Sequence, residues 1–119
     1  MEGFRFLNWK VYKDAKSLFS IILEVVRKLP KDLNYNIGGQ LIRAAFSIIL
    51  NIAEGSGKES DKELKKYFDI SLGSSYELLA AIDTLRDEVL ITEDDYTNIF
   101  TRIENISKQL GGFKKHINK

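Results

Sequence analysis

The chain has 119 residues, 44% of them hydrophobic and 29% charged, a balance that fits one globular domain and excludes a disordered tract. It has no cysteine, which excludes disulfides and thiolate metal sites, and a formal net charge of +1 gives no global attraction for nucleic acid. The opening MEGFRFLNWK lacks the charged-then-apolar order of a signal peptide, and the apolar stretch 44–53 is broken by Ser47 and Asn51 and reads as too short for a bilayer; a cytoplasmic protein with no membrane role is expected.

Residues 1–119 read as a single domain of four helices, at about 8–29, 36–54, 61–89 and 93–115. In the first, Val11, Ala15, Leu18, Ile22, Val25 and Leu29 alternate steps of four and three, the seam spacing of a bundle helix, and Tyr12, Phe19 and Val26 widen that face. Pro30 ends it, because proline disfavours helical geometry in the preceding residue. The second helix is expected to stop with Gly55 in the left-handed C-terminal position, followed by a loop GSGKES.

Ser60 and Glu63 form an S-x-x-E capping box that opens the third helix. Leu64, Phe68, Leu72, Leu79, Ile82, Leu85 and Val89 make its apolar face, with Ser71 and Ser75 small enough for close helix approach. Thr92 caps the fourth helix, and Glu93, Asp94 and Asp95 suit its positive dipole end. Its seam continues through Tyr96, Ile99, Phe100, Ile103, Ile106, Leu110 and Phe113, and Gly111-Gly112 is expected to weaken it near its end. Short connections make neighbours antiparallel, so the fold class is all-α, an up-down-up-down antiparallel four-helix bundle.

No catalytic, metal or cofactor site is expected. Glu24, Glu54, Glu77 and Glu104 place one carboxylate on each helix, but a di-iron bundle needs E-x-x-H pairs, and the one histidine is His116, read as a solvated tail residue. Gly55-Ser56-Gly57-Lys58 fails the phosphate-loop pattern, since Ile52 stands where its first glycine belongs and Glu59 follows the lysine.

The second helix is the unusual one. At about 100° per residue, Gln40, Arg43, Ser47, Asn51 and Glu54 fall within an arc of about 80°, and apolar residues occupy almost all the rest. A bundle helix needs an apolar stripe only a little over about 100° wide. Ile42, Phe46, Ile49 and Leu50 are therefore candidates for a subunit interface in a cyclic or two-fold homo-oligomer. The polar arc has two readings: Arg43 and Glu54 pair with helix-three residues such as Ser74 or Glu77 in a buried network, or the arc meets a ligand.

Charge is unevenly spread. Residues 1–31 hold seven Lys/Arg against three acids, residues 56–91 hold five against eight, and 108–119 carry four lysines and no acid. Lys10, Lys13, Lys16, Lys114 and Lys115 are the candidate nucleic-acid contacts; Trp9 and Tyr12 could stack on bases but read better as core or interface residues.

Gln40-Leu41-Ile42-Arg43-Ala44-Ala45-Phe46-Ser47-Ile48, then Asn51-Ile52-Ala53-Glu54-Gly55, with Gly73-Ser74 and Glu77-Leu78 downstream, resembles the four-helix-bundle proteins labelled 23S rRNA-intervening sequence proteins. Trp9 and Pro30 match as well, and the resemblance covers about residues 6–113. It implies a small bacterial cytoplasmic protein forming a homopentameric, barrel-like ring, with Arg43, Ser47, Asn51, Glu54, Ser74 and Glu77 as the motif's polar network. It also implies kinship with accessory proteins of retroelement reverse transcriptases, whose basic surface contacts nucleic acid and the polymerase. This chain has Ile42-Arg43 where the family commonly has two arginines, and is nearly neutral where basic members are positive. Two roles are thus expected side by side, both non-enzymatic: a homo-oligomeric module contacting RNA or DNA, alone or with a protein partner, and a protein-only scaffold.

Overall fold

Val11, Ala15, Leu18, Ile22 and Val25 recur every three or four positions, and all five are buried on one face of the helix α1 (Lys10–Arg27). The computed structural model describes residues 3–117, with side chains to Lys115. A 3₁₀ turn, Arg5–Asn8, precedes α1. A one-turn helix α2 (Lys31–Asn34), opened by Pro30, leads into α3 (Asn36–Ser56); α4 (Asp61–Asp87) and α5 (Glu93–Ile117) complete the chain, and no strand is present among the described residues.

The long helices pack in the cyclic order α1, α3, α4, α5, with α3 and α4 sharing the most extensive contact. Each long helix reverses the direction of the one before, giving an antiparallel bundle with a longest dimension of 44 Å. Its core is continuous from Val11 and Leu18 through Leu41, Ile48 and Ile52 to Phe68, Ile82, Ile99 and Leu110.

Several boundaries differ from the sequence reading, each for a local reason. α1 stops at Arg27, before Pro30 acts, and the proline instead opens α2. Gly55 does not take a left-handed conformation. It is buried inside α3, where a Cβ would lie 3.1 Å from Tyr67 Cβ, so it serves the approach of α4, and Gly57 ends the helix with φ −88°. Gly111 and Gly112 do not interrupt α5. Two caps are as the sequence implies: Glu63 N donates to Ser60 Oγ at 3.2 Å, and Asp95 N to Thr92 Oγ1 at 3.0 Å.

Length does not keep α3 out of a membrane: at 21 residues it is long and apolar enough to span one. Its place in the bundle is that of a core helix. Leu41, Ala44, Ala45, Ile48, Ile49 and Ile52 are buried within the chain, so six of its apolar residues already have partners.

Candidate interaction surfaces

Small residues let α3 and α4 approach closely, and their hydroxyls tie the pair together. Ser71, wholly buried, donates from Oγ to the Ile48 carbonyl at 2.9 Å, and Ser47 Oγ lies 2.8 Å from Ser74 Oγ. Asn51 Nδ2 donates to Ser47 Oγ at 3.1 Å and to its carbonyl at 2.9 Å. The polar arc therefore splits. Ser47, Asn51 and Ser74 form the inter-helix network, whereas Arg43 and Glu54 are exposed and pair within α3 and its loop. Arg43 Nη1 donates to Gln40 Oε1 at 3.1 Å, and Glu54 lies 3.8 Å from Lys58. Glu77 is likewise exposed, so the first of the two readings, in which Arg43 and Glu54 join Ser74 or Glu77 in a buried network, is corrected to a hydroxyl and amide network.

Outside this seam α3 keeps an apolar ridge. Phe46 is 46% exposed and Leu50 49%, with Phe46 leaning on Phe19 of α1 at a ring separation of 5.4 Å. Arg43 and Glu54 bracket the ridge in sequence. Of the other two interface candidates, Ile42 is half-buried against the core, and Ile49 is buried at 6% exposure. Ile49 is withdrawn as an interface residue, because its own chain covers it.

On another side of the bundle, α4 and α5 leave two adjoining apolar grooves of about 290 and 400 Å³ that share Tyr76, Leu79 and Phe100. The sequence reading missed this feature. It placed Phe100 in the core seam, where the structure leaves it 37% exposed, and left Tyr76, 68% exposed, off the apolar face. The signal lay in Tyr76, Ala80 and Phe100, too apolar a set for outward positions.

The candidate lysines converge because α1 begins where α5 finishes: Trp9 packs on Phe113 at 5.0 Å and edge-on to Phe68 at 6.1 Å. Trp9 and Tyr12 are half-buried packing residues, with Arg5 over the Trp9 ring and Lys16 over the Tyr12 ring. Lys10 Nζ donates to Asp14 Oδ2 at 2.6 Å, and Lys114 is ion-paired with Asp69. Lys13, Lys16 and Lys115 are exposed. The Asp14 oxygen also accepts from Asn105 at 3.1 Å and Gln109 at 2.7 Å. Burial raises its pKa, but the Lys10, Gln109 and Asn105 bonds outweigh that and hold the carboxyl below its ordinary range.

Cut across its middle, the bundle is electrically polar. The half containing residues 3–18, 46–73 and 105–117 holds eleven Lys/Arg against six Asp/Glu, a net +5; the half containing 19–45 and 74–104 holds six against ten, a net −4. Near neutrality of the whole chain conceals a basic end and an acidic end. The glutamates on the four long helices, Glu24, Glu54, Glu77 and Glu104, are all exposed, the reverse of the inward projection a di-iron site requires. Nothing among the described residues positively indicates catalysis, and the His116 side chain and Lys119 lie outside them.

The family model of the 23S rRNA-intervening sequence protein matches residues 8–112, nearly the whole bundle. The chain belongs to the 23S rRNA-intervening sequence protein family. A solved structure similar to this family member is a protein of unknown function from the S23 ribosomal protein family of Bacteroides thetaiotaomicron VPI-5482. It is 22% identical with a TM-score of 0.82, covering 88% of this chain and 98% of its own, and at that identity the likeness speaks for the fold. Among curated proteins, none matches the chain.

Proposed function

We propose that this member of the 23S rRNA-intervening sequence family is a non-enzymatic, homo-oligomeric helical module of the bacterial cytoplasm, whose basic end docks the phosphate backbone of RNA or DNA. The separation of +5 from −4 along a 44 Å bundle carries the reading, because it supplies locally the attraction that the net charge lacks. Lys13, Lys16 and Lys115 are the contacts expected to matter most, being exposed near the aromatic cluster of Trp9, Phe68 and Phe113. Lys10 and Lys114 contribute less, since Asp14 and Asp69 already partner them. Phe46 and Leu50 support self-association, and the homopentameric ring implied by the family resemblance is the form proposed. A reverse-transcriptase-accessory role would use the same end.

A protein-only scaffold is the second reading, favoured by those two neutralised lysines. Fluorescence anisotropy with a labelled single-stranded RNA, from about 50 to about 200 mM salt, separates the two. Docking predicts affinity that falls steeply with salt. The triple variant Lys13→Glu, Lys16→Glu, Lys115→Glu should flatten the log–log slope by roughly two, since each lost phosphate contact on a single strand removes about 0.7. Binding that is absent at low salt, or indifferent to salt, would leave the scaffold reading standing.

A further inference from the structure

The end of the bundle with excess positive charge also carries the 3₁₀ turn Arg5–Asn8, with Phe4 before it, which the lysine contacts above leave out. Leu7 N donates to the Phe4 carbonyl at 3.2 Å and Trp9 N to the Phe6 carbonyl at 3.0 Å, so the segment is pinned through its backbone. On it, Arg5 is braced from two sides. Its Nε donates to the Ser56 carbonyl at the end of α3 at 3.0 Å, and its guanidinium lies over the Trp9 ring, 5.3 Å from the centroid. Those contacts use Nε and one face of the plane. The two terminal nitrogens have no hydrogen-bond acceptor among the described residues. A planar cation held in this way, with its fork open, matches a phosphate group through two parallel hydrogen bonds.

Phe4, next to it, is 57% exposed and stacks on no ring among the described residues, whereas Phe6 has Tyr12 edge-on at 4.9 Å. We propose that Arg5 and Phe4 form a nucleotide clamp, Arg5 taking a backbone phosphate and Phe4 stacking on a neighbouring base, so that the basic end binds single strands. The clamp rests on the docking read above and names its ligand. An aromatic ring reaches the face of a base only where the bases are unpaired; a duplex offers phosphates but keeps its base faces inside the stack.

Charge sets the path of the strand. Trp9, Lys13 and Lys16 step along α1 by four and then three residues, so they share one side of the helix, about 6 and about 4.5 Å apart along its axis. With Arg5 over Trp9, the cations of residues 5, 13 and 16 form a row leading away from Phe4. Asp14, the one carboxylate on that stretch of α1, is occupied by Lys10, Asn105 and Gln109. The flank beyond Ser56 does not extend the row: Glu54 lies 3.8 Å from Lys58, and Glu59 and Asp61 outnumber Lys62.

Fluorescence anisotropy on the full chain, with a labelled single-stranded RNA and with the same strand annealed to its complement, separates a clamp from plain charge. Phe4→Ala should weaken single-strand binding roughly five-fold or more, the lower end for one base–aromatic stack, and leave duplex binding unchanged. Phe4→Tyr keeps a ring and should bind as the wild type does. Arg5→Lys keeps the charge and loses the fork, so single-strand affinity should fall about five-fold with the salt slope unaltered. Both side chains lie at the surface, and helical circular dichroism checks that folding is intact. No loss in Phe4→Ala, or an equal loss on strand and duplex, overturns the base stack. An Arg5→Lys variant that binds like the wild type overturns the fork. A wild-type chain with no salt-dependent affinity for either RNA would instead overturn the docking reading beneath the clamp.

Discussion

Val89 is the residue whose backbone conflicts most plainly with its side chain. It is 87% exposed and adopts φ 57°, a left-handed conformation that a β-branched residue resists. The hydrogen bonds explain why it is held there. Val89 N donates to the Arg86 carbonyl and Leu90 N to the Leu85 carbonyl, both at 2.9 Å, the paired closure of a Schellman motif in which glycine is the usual occupant. An L-residue in this conformation costs about 1–2 kcal/mol, and the extra chain entropy of glycine returns part of that. Val89→Gly should stabilise the chain by about 1 kcal/mol and raise the thermal midpoint by roughly 4 °C, measured by differential scanning calorimetry; an unchanged or lowered midpoint would refute the strain. The same residue shows where sequence reading fell short. Without a glycine to mark the stop, the apolar period ran on to 89, and α4 in fact ends at Asp87.

At the scale of elements, the four long helices were legible because periodicity and caps reported them independently. Ser60 and Thr92 fixed the starts of α4 and α5, and Val11 through Val25 fixed the buried face of α1. A helical wheel has no knowledge of neighbours, however. It could not separate Ile49, buried at 6%, from Leu50, exposed at 49%, one position on. Nor could it foresee that Asp14 would gather α1 and α5 through one oxygen. That cluster predicts a pH dependence. The Asp14 pKa is lowered on folding, so its contribution is present above the ordinary carboxylate value of 3.8 and lost as pH falls through the lowered folded value. Asp14→Asn keeps the shape and removes the charge. It should cost about 1 kcal/mol near neutral pH, the scale of a partly exposed charge-assisted contact. Urea titrations at descending pH should find the gap between variant and wild type closing in acid. A gap independent of pH would assign the effect to packing rather than charge.

At the scale of the whole molecule, the polarity that carries the functional proposal is a property of the fold and not of the composition. Residues 5–16 and 108–115 lie about a hundred positions apart, and only chain reversal sets them at one end, with 83–95 at the other. In the barrel-like ring proposed above every basic end would sit beside another, so lateral packing of Phe46 and Leu50 would work against mutual repulsion of ends carrying +5 each. A polyanion spanning those ends would relieve the repulsion. By linkage, docking and assembly must then strengthen each other by the same factor. Adding a short single-stranded oligonucleotide should lower the protein concentration at which the assembly dissociates, roughly five-fold or more if the coupling reaches the usual 1 kcal/mol. The shift should shrink as salt screens charges over about 8–10 Å, and should vanish in the Lys13, Lys16, Lys115 triple variant. Sedimentation velocity across a dilution series reads it directly. An oligonucleotide that binds without moving the dissociation midpoint would mean that the basic ends are too far apart, or oppositely directed, in the assembled protein.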